Sequence, residues 1–240
     1  LLLWQPAPQR VLLIGVGGGS IPMALAAVRP AMDIDGVDID PAVLRVATRF
    51  FGLRPGPRLR LHVVDGAAFV AQARARGGTY DAVLLDAFDE NGVPPALFGE
   101  AFLRDVKAVL APDGVFLANT VAGPAHEREL AAASAVFGRF HTIRPAPWTN
   151  NRLLVAARDP SGLPAAAGLF AGAARHGREL ERLGIDEPWL RQLEIVGAGV
   201  PPDRAGDASG PMMPDARMRD GMPVLPKVLS EPRSPAGPAR

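Results

Sequence analysis

Five short apolar runs, at residues 11–14, 34–37, 59–64, 82–85 and 115–118, recur along the first half of the sequence with helical stretches between them. Each is about strand length and largely apolar on both faces, the pattern of strands covered on both sides in a parallel sheet. The stretches between them carry helix-start chemistry. Asp40-Pro41 reads as an N-cap followed by proline at the first helical position, leading into Val43, Leu44, Val46, Ala47 and Phe50. Pro94-Pro95 predicts a second helix with an apolar stripe running from Leu97 and Phe98 through Phe102, Leu103 and Val106 to Val109 and Leu110. Asp113-Gly114 then predicts a turn into the next run. Two further stretches, 137–143 and 153–157, flank a loop with proline, tryptophan and asparagine and predict a closing antiparallel pair. Alternation of this kind is a doubly wound α/β sheet.

The length of 240 residues fits one full domain plus extra, and 48% hydrophobic residues are enough to build its core. Lys and Arg number 26 against 25 Asp and Glu, a net charge of +1 that leaves no electrostatic footprint for nucleic acid or an anionic membrane. The absence of cysteine removes disulfides, thiolate metal sites and a cysteine nucleophile. The opening apolar run, residues 1–4, is far too short for a membrane span or a signal-peptide core. The expectation is a soluble cytoplasmic protein. Its main domain is expected at residues 10–158, with alanine-rich peripheral helices over 159–198. Residues 199–240 read as a disordered tail, because 201–240 hold nine prolines, four glycines and no aromatic residue.

The sharpest local motif is Val11-Leu-Leu-Ile-Gly15-Val-Gly17-Gly18-Gly19-Ser20, a buried strand running into glycines and then a helix. Gly15, Gly17, Gly18 and Gly19 let the backbone turn tightly and let a ligand approach where a Cβ would clash. The alternative is a tight strand-to-helix turn and nothing more. An acid then follows each of the next three strands: Asp38, Asp65 and Asp86. Ligands of open α/β sheets bind outside the carboxyl ends of the strands, so these acids converge on one crevice. Asp38 suits two ribose hydroxyls. Asp65, with Gly66 and Ala67, suits an adenine amino group and a ring nitrogen. Taken singly, Asp38 also fits a solvated turn, and Asp40 and Asp65 fit helix caps.

These segments, with Gly36-Val-Asp-Ile-Asp-Pro41, Val64-Asp-Gly-Ala67, Tyr80-Asp-Ala-Val-Leu-Leu-Asp-Ala-Phe-Asp89 and Leu110-Ala-Pro-Asp-Gly114, resemble the class I S-adenosylmethionine-dependent transferases. Within that class they resemble the spermidine synthase (polyamine aminopropyltransferase) family over about residues 10–158. The resemblance implies a Rossmann-like, mostly parallel seven-stranded sheet with a reversed last strand. It also implies that the co-substrate is S-adenosylmethionine or its decarboxylated form, and that the acceptor is a small amine. It assigns the ribose to Asp38, the adenine to Asp65, and the reacting amine to Asp86 and Asp89. A carboxylate there attracts a protonated amine and can take its proton before nitrogen displaces sulfur.

Three features depart from the family pattern. Gly18 stands where the family usually has an aspartate that meets the aminopropyl ammonium. Asp89-Glu90 replaces the family's Asp-Pro. The family's small N-terminal β domain has no counterpart, so residues 1–9 read as the remnant of a missing segment. Aminopropyl transfer is the first reading. Methyl transfer from S-adenosylmethionine is the second, favoured by Gly18, and a non-catalytic nucleoside-sensing module with the same fold is the third.

No metal is expected, since His62, His126, His141 and His176 show no ligand spacing. Ser20 and Ser134 lack the GxSxG context of a hydrolase nucleophile. Trp148-Thr-Asn-Asn151 either lines the amine pocket or packs over the sheet edge. Neither nucleic acid nor membrane is expected as a partner, and a homodimer is left open.

Overall fold

The computed structural model describes residues 1–90, 92–145, 149–163, 176–182 and 194–198. The expected tail at 199–240, Trp148 and most of the segment between 164 and 193 lie outside the described residues. Five apolar runs become the parallel half of one sheet: β1 (Arg10–Ile14), β2 (Asp33–Asp38), β3 (Leu59–Val63), β4 (Tyr80–Leu85) and β5 (Leu110–Val121). Three helices cross between the first four: α1 (Ser20–Val28), α2 (Pro41–Phe50) and α3 (Gly66–Ala75). α4 (Glu100–Val109) leads into β5 and α5 (Pro124–Phe137) leads out of it, followed by β6 (Phe140–Arg144) and β7 (Asn151–Ala157). β7 inserts between β5 and β6 and runs antiparallel to both, which gives the mostly parallel seven-stranded sheet with a reversed last strand.

An eighth strand, β8 (Glu194–Ala198), pairs antiparallel with β6 and extends the order to β3-β2-β1-β4-β5-β7-β6-β8. This corrects the expectation of helices up to residue 198. Of that segment the described parts are a 3-10 turn at Pro160–Gly162, the short helix α6 (Gly177–Arg182) and β8. An edge strand needs only an unpaired neighbour to accept it, and β6 offers one. Residues 1–9 are docked as well. Leu2 is buried, Leu1 and Trp4 pack on the α1/α2 side of the sheet, and the amides of Gln9 and Arg10 donate to Asp81 Oδ2 at 2.6 and 2.8 Å.

Local chemistry accounts for the helix boundaries. The Asp40 carboxylate accepts from the Ala42 amide at 2.7 Å, so α2 starts at Pro41 as its sequence predicts. The helix expected from Pro94-Pro95 is split. Pro95–Leu97 form a 3-10 turn, Gly99 is extended, and α4 begins only at Glu100. Leu97 and Phe98 nonetheless join Phe102, Leu103, Val106 and Val109 in one buried cluster. Phe137 ends α5 and does not open a strand; Gly138, at φ 75°, turns the chain into β6. The Asp113-Gly114 turn sits inside β5 as a bulge, since Leu110 pairs with Tyr80 and Val115 with Ala82.

The core lies on both sides of the sheet. α1 and α2 cover one face with Leu25, Leu44 and Ala47. α3, α4 and α5 cover the other, where Phe116 and Phe137 stack with centroids 5.7 Å apart. Leu103 is fully buried at the centre of α4, and truncating such a leucine to alanine costs roughly 2–5 kcal/mol. Both sides being covered leaves the strand ends as the place for ligands.

Candidate active site

Three backbone hydrogen bonds line up the carboxyl ends of the parallel strands. Gly15 N–H donates to Val37 O at 2.8 Å, Asp86 N–H to Ile14 O at 2.8 Å, and Val64 N–H to Asp38 O at 3.1 Å. The glycine loop, Asp38, Asp65 and Asp86 therefore share one rim of the sheet. Gly15 has a structural reason to be glycine: a Cβ there would stand 2.4 Å from the Asp86 carbonyl oxygen. Gly66 has one too, because a Cβ would stand 2.6 Å from Ile14 Cγ2 and hold the start of α3 off β1. Gly17 faces open space, and α1 follows from Gly19 with no side-chain cap on its first amides. Gly18 has only the Phe51 ring nearby, 3.8 Å from where a Cβ would be.

Asp38 is a latch. Its Oδ2 accepts from the Val16 amide at 3.0 Å and its Oδ1 from the Asp40 amide at 3.1 Å, tying the glycine loop to the end of β2. A carboxylate oxygen has two acceptor directions, so each keeps one for a ligand hydroxyl. Ile39, beside it, is 69% exposed, and Phe51 against the loop is 58% exposed. Both are apolar surfaces on the rim that the sequence reading did not single out. Asp65 caps α3, with Oδ1 accepting from the Ala68 amide at 2.8 Å, and its side chain stands at the surface. Ala67, in the first turn, packs against the core.

Asp86 lies half-buried at the end of β4. Burial pushes its carboxyl pKa up, and a hydrogen bond from Asn119 pulls against that. Asn119 Nδ2 donates to Asp86 Oδ1 at 2.8 Å. The Asn119 amide oxygen accepts in turn from Asn151 Nδ2 at 3.1 Å, and Asn151 Oδ1 from the Thr149 hydroxyl at 3.1 Å. All donors in this chain point toward Asp86, and among the described residues its other oxygen takes no hydrogen bond. Asn119 was missed in the sequence. Its signal is register: Leu85 pairs with Ala118, which sets the next residues, Asp86 and Asn119, side by side. Asp89 does not share the strand end. It stands exposed on a turn where it exchanges backbone hydrogen bonds with Gly92 at 2.8 and 3.3 Å. Among the described residues no group of three or more His, Cys, Asp or Glu side chains is placed to hold a metal, and no helix is long and apolar enough to cross a membrane.

The pattern of the spermine/spermidine synthase domain matches residues 2–139, more than half of the sequence. The chain belongs to that family. The match takes in the glycine loop, Asp38, Asp65, Asp86, Asp89 and Asn119. A polyamine aminopropyltransferase of Vibrio vulnificus (strain CMCP6) is 37% identical over 155 residues, covering 64% of this chain and 52% of that protein. The human eEF1A lysine and N-terminal methyltransferase is 33% identical over 147 residues, 58% of this chain and 20% of that protein. Among solved structures, human methyltransferase-like protein 13 in complex with SAH superposes with a TM-score of 0.68 at 32% identity, covering 75% of this chain and 85% of that one. The chain thus spans about half the length of the Vibrio relative and a fifth of the human one. All three similar proteins are transferases by name, and they differ in the group moved.

Proposed function

We propose that the rim formed by β1 to β4 binds an S-adenosyl sulfonium, and that the chain moves a carbon group from its sulfur to an amine. The first reading is aminopropyl transfer from decarboxylated S-adenosylmethionine to a polyamine acceptor. The observation that carries it is the Asp86 carboxylate, half-buried beside the glycine loop, with one oxygen held by Asn119 and the other without a hydrogen bond among the described residues. Asp38 would take the ribose hydroxyls, and Asp65, Gly66 and Ala67 would meet the adenine edge. Ile39 and Phe51 offer apolar surface to the purine.

The chemistry follows from these positions. An alkyl ammonium is drawn to Asp86 and gives up one proton to the oxygen that Asn119 does not hold. The nitrogen lone pair then attacks the carbon beside sulfur, the carbon–sulfur bond breaks, and its electron pair stays on sulfur as a neutral thioether. The transferred proton leaves to water. Burial that raises the Asp86 pKa makes it a better proton acceptor. The hydrogen bond from Asn119, oriented by the Thr149–Asn151–Asn119 chain, pulls the other way and favours the ionised form. Asp89, on the neighbouring surface turn, would add negative charge at the mouth.

Gly18 supports a second reading, methyl transfer from S-adenosylmethionine. Without an acid at this place the donor's amino-acid carboxylate meets no repulsion, and the amides that open α1 favour it. The test offers each sulfonium donor with a panel of diamines and records product mass. Gain of an aminopropyl group that is lost in Asp86→Asn, with the nucleoside still bound, supports the first reading. Gain of a methyl group promotes the second, and tight nucleoside binding without turnover points to a sensing module. Gly18→Asp sharpens the choice because the new side chain meets only Phe51 at ordinary contact distance. It should raise the preference for the decarboxylated donor by about 1–3 kcal/mol, the scale of a charge-assisted hydrogen bond.

A further inference from the structure

Beneath α3, along β3, lies a cavity of about 720 Å³, the size of a site for a small organic ligand. Its floor is Asp35, in the middle of β2, whose side chain is only 4% exposed. This carboxylate accepts from Arg60 Nε at 2.8 Å and Nη2 at 3.2 Å, from His62 Nε2 at 2.9 Å and from the Tyr80 hydroxyl at 3.1 Å. A carboxylate offers about four acceptor directions, so those contacts fill it.

Two more guanidiniums line the same cavity and, among the described residues, neither donates a hydrogen bond to a carboxylate. Arg10 forms a loose ion pair with Asp35 at 3.6 Å, beyond hydrogen-bonding distance, with its guanidinium carbon 4.7 Å from the Tyr80 ring centroid. Arg76, on the α3 side, reaches among the described residues only Gln72 Oε1, at 3.4 Å. The other lining acid, Asp33, is already bonded to Arg58 at 3.1 Å. The cavity therefore carries three guanidiniums against two carboxylates, with Arg10 and Arg76 N–H groups not hydrogen-bonded to either acid, while Val63, Val64, Phe69 and Ala73 give it an apolar wall. That chemistry repels a polyamine and is unlike the acid-lined rim of the sheet.

We propose that this cavity is a separate ligand site for a small organic anion, a phosphate monoester or a carboxylate. Its charged head takes the donors of Arg10 and Arg76, and its apolar body lies against Phe69. The site shares α3 with the nucleoside rim, since Asp65 caps the start of the helix and Gln72, Ala73 and Arg76 line the cavity near its end.

The experiment is calorimetric titration of the whole chain with phenyl phosphate, benzoate and inorganic phosphate. Saturable binding of at least one of the two organic anions, tighter than that of inorganic phosphate, is expected; which one binds tells phosphate from carboxylate. Arg76→Ala should weaken it by about tenfold or more. Arg76 is exposed at the end of α3, so the melting temperature of that variant should stay near that of the parent. Asp38→Ala should leave the affinity unchanged, and excess spermidine should not compete. No saturable binding of either organic anion, an unchanged affinity in Arg76→Ala, loss of binding in Asp38→Ala, or competition by spermidine would each overturn the proposal.

Discussion

Alanine at Gly15 tests whether the glycine loop is shaped first by the sheet or by its ligand. The new methyl would stand 2.4 Å from the Asp86 carbonyl oxygen and 2.8 Å from Ala87 Cα, both backbone atoms that no rotamer change can move. Gly15 also sits at φ 87°, where an L side chain costs about 1–2 kcal/mol. Forcing β1 and β4 apart adds the roughly 1–3 kcal/mol of an overpacked core, for a sum of about 2–5 kcal/mol. At a few degrees per kcal/mol, that is a fall in Tm of roughly 4–20 °C. Gly17→Ala is the control: it meets nothing within 4 Å, so it carries only the backbone cost of about 1–2 kcal/mol at φ 53°. Thermal melting without ligand should rank the variants Gly15→Ala well below Gly17→Ala, and nucleoside titration should show Gly17→Ala weakened out of proportion to its stability. A Gly15→Ala protein that melts within a degree of the parent would falsify the packing argument.

Asp38→Ala should weaken nucleoside binding by roughly 1–3 kcal/mol in calorimetry, since two hydroxyls lose a charged acceptor; unchanged affinity removes Asp38 from the site. Asn119→Ala should move the acid limb of the transfer rate to higher pH, because the hydrogen bond it removes favours ionised Asp86; a limb that stays in place sinks the relay. Asp35 governs acid stability. Burial pushes its pKa up, but the hydrogen bonds and charge of Arg60, with His62 and Tyr80, outweigh that and lower it from 3.8 to about 2. A lowered folded pKa means stability that is full above about pH 4 and lost as pH falls toward 2, on the order of 2 kcal/mol. Urea melts of the parent and of Asp35→Asn over that window should converge as pH drops; parallel curves would contradict the assignment.

Local signals carried most of the fold. The apolar runs marked the parallel strands, and Asp40-Pro41 marked the start of α2, because strand period and capping act within a few residues. The failures are non-local. Asp35 lies in a run read as apolar, and its partners Arg60, His62 and Tyr80 come from β3 and β4. Neither Asn119 nor β8 carries a local pattern; the first matters through its register with β4 and the second through the open edge of β6. Gly15 and Gly66 look like ligand-facing glycines in sequence, whereas each answers a clash with the neighbouring strand that only the fold creates.

The reversal of β7 has a consequence for how such a molecule diversifies. In an all-parallel sheet only strand exits reach the rim, and here the exits of β1 to β4 carry the glycine loop, Asp38, Asp65 and Asp86. Because β7 runs backward, a strand entrance reaches the same rim: Asn151 pairs with Val121 at the end of β5 and bonds to Asn119. The connection arriving at Asn151 can thus change length or composition without shifting β1 to β4. A chain of this family can therefore keep the rim of β1 to β4 while that connection varies, and the similar proteins, a polyamine aminopropyltransferase and an eEF1A lysine and N-terminal methyltransferase by name, differ in acceptor.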